Sequence, residues 1–148
     1  MIDKKEIVEL CLEKTQKRVD EIQVAIDAAN DAIINDTKSS MGDKYETSRE
    51  MAQQELSRLQ SQLNQANRDL DILINLPEST NAIVGMGSLV ITNQFNYLLA
   101  TSIGPLKVGS ETVMVVSKQS PIGEALFGKK VLDEVQFNGK TFQIQDLG

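Results

Sequence analysis

The sequence predicts an α+β fold in which an antiparallel coiled-coil hairpin of two helices precedes a small antiparallel sheet crossed by one helix. In the first half of the chain, apolar residues recur at steps of three and four, which is the period of one helix face. After Pro77 they alternate with polar residues, which is the period of a strand. We therefore predict a coiled-coil finger over 1–76, a linker over 77–82 and a separately folded domain over 83–148.

Two apolar runs define the hairpin and predict helices over 4–34 and 46–76. Asp3, followed by Glu6, provides an N-cap acceptor and a favourable carboxylate at the start of the first helix. Residues 35–42 are rich in turn-forming types, so the chain is expected to reverse there. The first run is Val8, Cys11, Thr15, Val19, Ile22, Ile26, Ala29 and Ile33, and the second is Ala52, Leu56, Leu59, Leu63, Ala66, Leu70 and Leu73. Helices of this size extend about 45 Å.

Short strands and one helix are predicted for the second half. The Asn138-Gly139 pair between two alternating runs is typical of a two-residue hairpin turn. Ser120 is a suitable N-cap, Pro121 is favoured at the first helical position, and Gly128 can close the end. These features predict a helix over 121–127. The predicted strands are 83–92, 95–101, 111–117, 134–137 and 141–144.

Composition limits the functions open to the chain. Its 148 residues include 15 basic and 21 acidic ones, and a net charge of −6 argues against broad nucleic-acid binding. With no histidine, one seam cysteine (Cys11) and no glycine-rich phosphate loop, the usual residues of acid–base, thiol and P-loop catalysis are missing. No stretch has the length and apolarity of a membrane span, and a single cysteine fits a reducing compartment. We expect a cytoplasmic accessory protein without a membrane or small-molecule partner.

Residues 120–135 form the most distinctive motif, and they read Ser-Pro-Ile-Gly-Glu-Ala-Leu-Phe-Gly-Lys-Lys-Val-Leu-Asp-Glu-Val. In order and spacing this stretch is similar to the signature of the bacterial Gre transcript-cleavage factors. The Gly42-Asp43-x-x-Glu46 motif resembles the tip of their cleavage-competent members. The resemblance implies a helical hairpin joined to an FKBP-like domain that docks on bacterial RNA polymerase through Ser120, Pro121 and Ile122. Beside the rigid proline, Ile122 is expected to be an exposed apolar anchor.

The resemblance also implies a role for Asp43 and Glu46 as metal-holding residues of the hairpin tip. Mg²⁺ prefers oxygen ligands and is commonly held by one or two carboxylates together with substrate phosphate oxygens. In a Gre-like factor the tip enters the secondary channel of the polymerase and completes a Mg²⁺ site near the nascent RNA 3′ end. The metal then activates water against the RNA phosphodiester. The isolated protein is not expected to hold Mg²⁺ by itself.

Two other interpretations of the tip stay open. The same acidic spacing is typical of a helix N-terminus, where both side chains satisfy free N–H groups, and capping and metal binding can coexist. Residues 47–50 read Thr-Ser-Arg-Glu where Gre factors have Asn-Ala-Glu-Tyr, and residues 104–109 replace an acidic stretch. These departures favour, as the alternative, a non-cleaving polymerase regulator that occupies the same channel.

Three weaker candidates complete the sequence analysis. Basic residues on the two helices either guide the RNA 3′ end or form an ordinary solvated face. Tyr45 either stacks on a base or is structurally neutral. Prolyl isomerase activity would need an aromatic pocket, and the second half has five aromatic residues and no tryptophan. The basic residues are Lys14, Lys17, Arg18, Arg49, Arg58 and Arg68, and the aromatic ones are Phe95, Tyr97, Phe127, Phe137 and Phe142.

Overall fold

A computed structural model describes residues 2–37, 43–78 and 82–148, and side chains throughout these ranges except those of 35–37 and 43–47. The chain forms two compact units. One joins Met1–Leu12 to Asp71–Gly148, and the other is Glu13–Leu70. Both ends of the helical pair therefore belong to the same unit as the sheet. The predicted linker over 77–82 includes residues outside the described ranges, and its role as a linker stays a prediction.

The two long helices are confirmed as α1, Lys4–Thr37, and α2, Asp43–Ile74. The predicted cap at Asp3 is also confirmed, because its carboxylate accepts a hydrogen bond of 3.0 Å from the Lys5 backbone N–H. In the predicted first run, Val8 is only half-buried, and Ile7 is the fully buried residue at this level of α1. Neither helix has a stretch long and apolar enough to cross a membrane within the described ranges.

In the unit Glu13–Leu70, α1 and α2 pack against each other along one apolar seam. Arg18, early in α1, pairs with Asp69, late in α2, at 3.2 Å between nitrogen and oxygen, which confirms that the helices run antiparallel. The buried apolar members of the seam are spaced along both helices with polar residues between them. They are Ile22, Ile26, Leu59 and Ala66, with Val19, Ala25, Ala29, Leu56 and Leu63 packed around them.

The second half of the chain forms a six-stranded sheet in the order β3-β4-β2-β1-β6-β5. Its pairs are antiparallel, which confirms the predicted antiparallel sheet, except that β2 and β4 run parallel. A crossover connection through β3 allows the parallel pair. The strands are β1 Leu89–Thr92, β2 Asn96–Ala100, β3 Gly104–Val108, β4 Glu111–Ser117, β5 Glu134–Phe137 and β6 Lys140–Leu147.

Apolar residues cover both faces of the central strands. On one face of the sheet, Leu98 and Val113 share a buried cluster with Ile7, Cys11 and Leu73 from the ends of the helical pair. On the other face a second cluster packs beneath the short helix α3, Pro121–Leu126. The members of this second cluster include Val90, Tyr97, Leu99, Ile122, Leu126, Val135, Phe142 and Ile144. Two covered faces explain why the central strands are nearly continuous apolar runs.

The hairpin turn between β5 and β6 agrees with the sequence prediction, whereas strand β3 does not appear in it. Asn138 (φ 52°) and Gly139 (φ 75°) both have positive φ, which confirms the two-residue hairpin between β5 and β6. Strand β3 was not predicted, because Pro105 lies within it. The strand tolerates proline since it lies at the sheet edge, paired only with β4.

Candidate functional site

The predicted metal-holding residues lie in the first turn of α2. The helix begins at Asp43 and includes Glu46, earlier than the predicted start at 46, so the backbone places both on one helical turn. Mg²⁺ in proteins is usually bound by one or two carboxylates, and water and phosphate oxygens occupy its other coordination positions. Two carboxylates at this spacing match that number. The side chains of Asp43, Tyr45 and Glu46 lie outside the described ones. Their roles stay predictions.

Three of the six candidate basic residues of the hairpin contact neighbours on the hairpin itself. Arg18 pairs with Asp69, and Arg58 forms a bidentate contact with Glu55 in which its Nε lies 3.0 Å from the carboxylate. Hydrogen bonding to the guanidinium lowers the pKa of Glu55. Arg68 donates to Gln65 at 2.8 Å, a further contact along α2. These contacts favour the interpretation of a solvated charged face over an RNA-guiding strip.

The predicted docking segment is held by hydrogen bonds around Ser120. Its hydroxyl accepts from the Gly123 backbone N–H at 3.1 Å and donates to the Ser117 carbonyl at 2.7 Å, which confirms it as the N-cap of α3. A Cβ on Gly123 would lie 1.9 Å from the Ser117 carbonyl oxygen. Only glycine fits here, so the helix approaches the end of β4 closely. After Leu126 the chain leaves the helix through Gly128 at φ 83°.

Within this segment, Pro121 and Ile122 face opposite environments. Pro121 is exposed at the first helical position. Ile122 is only 9% exposed and packs in the cluster beneath α3, so the expectation of an exposed anchor at this residue is wrong. The periodicity of a six-residue helix is too short to reveal which of its faces is buried. Polymerase contacts by Ser120, Pro121 and Ile122 stay predictions.

Sequence reasoning missed an exposed apolar surface that follows α3. Phe127 is exposed at the end of the helix, and the Lys118 ammonium lies 4.3 Å from the centre of its ring. Val131 and Leu132 are exposed farther along, and Ile83 pairs with this stretch through an isolated bridge to Lys130. In the sequence, the only sign of this surface is the presence of these four apolar residues. Apolar residues in so short a stretch could equally belong to a buried strand, so their exposure is not predictable.

The aromatic residues do not converge on a cavity. Tyr97 and Phe142 stack in the core with ring centres 6.1 Å apart, and both are buried. Phe95 and Phe127 are exposed. A cavity of about 600 Å³ lies elsewhere, between the first turns of α1 and the end of α2, and its apolar lining includes Val8 but no aromatic residue. This distribution does not favour a prolyl isomerase pocket.

Comparisons with known proteins find similarity only among solved structures. No family model matches the chain. No curated protein matches it either. The Thermus thermophilus GreA factor homolog 1 (Gfh1) structure is 19% identical over 93% of this chain and 94% of that one, with a TM-score of 0.37. A second structure of the transcription factor Gfh1 (20% identity, 93% of this chain and 92% of that one, TM-score 0.37) and the Thermus aquaticus Gfh1 structure (20%, 94% of each chain, TM-score 0.35) are similar in extent.

Proposed function

We propose that this protein is a Gre-like transcription factor that binds bacterial RNA polymerase. The observation that carries the proposal is the fold of the signature stretch 120–135. Its serine caps α3, its first glycine allows the close approach to Ser117, and its second glycine ends the helix in the left-handed conformation. The residue types of the Gre-like signature thus serve specific structural needs, and they occur in a chain that begins with a long antiparallel helical pair.

In this proposal the turn end of the hairpin enters the secondary channel of the polymerase. The helices have 34 and 32 residues, enough for about 50 Å at 1.5 Å per residue. Asp43 and Glu46 lie at the start of α2, so such a hairpin brings both carboxylates to the nascent RNA 3′ end. There they hold Mg²⁺ jointly with the polymerase, and the metal activates water for cleavage of backtracked RNA.

A non-cleaving regulator is the second candidate, and Arg49 favours it. This residue is exposed on α2, three positions after Glu46, so the two lie on the same side of the helix. A guanidinium in that position adds positive charge beside a carboxylate that Mg²⁺ would need. The regulator would occupy the same channel and leave the RNA intact.

A cleavage assay separates the two candidates. Added to a stalled, backtracked elongation complex, the protein is expected to shorten the RNA in a Mg²⁺-dependent manner. Asp43→Asn and Glu46→Gln should each reduce the cleavage rate at least about 100-fold without weakening polymerase binding, since each removes a charged metal ligand used only in the reaction. Raised Mg²⁺ should partly restore the single variants.

The matched control is Asp31→Asn, which removes an exposed carboxylate from α1 and should cleave like the wild type. Asparagine still caps a helix, so full activity in Asp43→Asn would assign that residue to capping and reject metal binding. Tight polymerase binding with no cleavage by the wild-type chain would select the non-cleaving regulator. No binding to polymerase would reject both candidates.

A further inference from the structure

Leu132 combines two features that rarely occur together. Its backbone has φ 75°, in the left-handed region that disfavours residues with a Cβ, and its side chain is 69% exposed. A leucine in this position loses backbone energy without gaining burial. Glycine or asparagine would fit the backbone better. Backbone strain at an exposed apolar residue indicates a role in binding rather than in the stability of the fold.

The conformation of Leu132 is fixed by its neighbours. Its backbone N–H donates to the Ile144 carbonyl at 2.7 Å, and its carbonyl accepts from the Gln143 side-chain amide at 3.1 Å. The next residue, Asp133, accepts from the Lys130 backbone N–H at 2.8 Å, which closes the turn. The backbone of Leu132 is therefore held in one conformation. A segment whose backbone is already ordered loses less conformational entropy on binding than a flexible loop does.

Other exposed apolar side chains accompany Leu132. Phe127, Val131 and Ile83 are between 41% and 50% exposed. Phe127 and Val131 lie in the same stretch of chain, and Ile83 joins it through the bridge to Lys130. We name these four residues the 127–132 surface. A group of exposed apolar side chains on an ordered backbone is typical of a protein-binding anchor.

The charge of this surface differs from that of the whole chain. The stretch 127–132 contains Lys129 and Lys130 and no acidic residue, although the chain has a net charge of −6. The two ion pairs formed among the described side chains involve neither lysine. Lys118 adds a third ammonium over the face of Phe127. Asp133 and Glu134 follow Leu132 directly, so the basic part of the rim consists of Lys118, Lys129 and Lys130. An apolar centre beside three ammonium groups complements an apolar pocket with carboxylates on that side.

We propose that the 127–132 surface, with Leu132 at its centre, docks on a protein surface that offers an apolar pocket flanked by carboxylates. Resting on the proposed function, this inference assigns that surface to bacterial RNA polymerase. It adds Leu132, Val131 and Ile83 to the docking residues predicted from the sequence and replaces the buried Ile122 as the apolar anchor. A nucleic acid would be bound through phosphates and would not use a strained leucine.

Leu132→Gly separates binding from folding, because it removes the side chain and relieves the backbone. The full-length variant should melt at the same temperature as the wild type or higher, while its Kd for core RNA polymerase rises at least about tenfold. Leu132→Asn, which also tolerates positive φ, should behave in the same way. The double variant Lys129→Glu with Lys130→Glu should bind more weakly and with less dependence on salt.

Phe95→Ala is the matched control, because Phe95 is an exposed apolar residue of the same unit that lies outside the 127–132 surface. Its Kd should stay within about twofold of the wild type, as expected for a residue outside the interface. If Leu132→Gly binds polymerase with the same Kd as the wild type, the proposed docking surface is wrong, and the proposed function is unaffected. Failure of the wild-type chain to bind polymerase would instead overturn the proposed function itself.

Discussion

At the scale of single residues, Pro121 and Ile122 are neighbours in the chain with different physical roles. The proline is exposed and fixes the first turn of α3, whereas the isoleucine fills the core beneath that helix. A substitution at one therefore tests a surface contact, and a substitution at the other tests the fold. The sequence alone predicts both residues as parts of one docking site.

Ile122→Asp is expected to lower the free energy of unfolding by more than about 3 kcal/mol, because it places an unpaired carboxylate in an apolar cluster. Urea unfolding followed by circular dichroism measures this loss. Pro121→Ser should cost less than about 1 kcal/mol, since the residue is exposed and its backbone nitrogen lies at a helix start. It is the variant to use for polymerase affinity. A stable, folded Ile122→Asp protein would contradict the packing of α3.

At the scale of elements, the seam between α1 and α2 depends on small residues as well as large ones. Ala66 is fully buried between the helices, in the same apolar cluster as Leu59 and Ile26. Ala66→Leu should lower the free energy of unfolding by about 1–3 kcal/mol, because the added carbons have no space in a packed seam. Ala28→Leu is the control, since Ala28 is exposed on α1, and its thermal midpoint should be close to that of the wild type. Equal midpoints for the two variants would show that the seam is loosely packed.

The sequence predicts elements well where one periodic pattern decides them. The two apolar runs, Val8 to Ile33 and Ala52 to Leu73, follow helical spacing over many turns, and the turn at Asn138 uses residues that favour positive φ. Strand β3 is missed because Pro105 contradicts the local pattern, and only the sheet order shows that it lies at an edge. The parallel pairing of β2 with β4 depends on tertiary contacts that no local pattern contains.

The candidate site is predictable to a smaller extent. Hydrogen-bonding roles in the signature stretch, such as the cap at Ser120, follow from local residue types. The burial of Ile122 and the exposure of Leu132 do not, because a leucine or isoleucine in a short segment has the same appearance in sequence on either side of a sheet. The positive φ of Leu132 also contradicts its residue type, so only the structure shows it.

At the scale of the whole molecule, the ends of the helical pair are part of the sheet unit. Ile7, Cys11 and Leu73 pack against the apolar residues of β2 and β4 on one face of the sheet. Without them that face would be open to water, and burying apolar surface is the main stabilising contribution in a unit of this size. The packing leads us to predict that residues 83–148 need these helical ends in order to fold.

Two shortened chains test this dependence. The fragment 83–148 should aggregate or show no cooperative melting, because it lacks the helical residues that cover the sheet. A chain in which residues 13–70 are replaced by a short Gly/Ser turn of about six residues keeps both ends of the pair and should melt cooperatively. Circular dichroism and gel filtration distinguish the outcomes. The shortened chain should also retain the 127–132 surface, and so bind polymerase, while having no Asp43 or Glu46 with which to stimulate cleavage. Cooperative folding of 83–148 alone would show that the sheet does not need the helical ends.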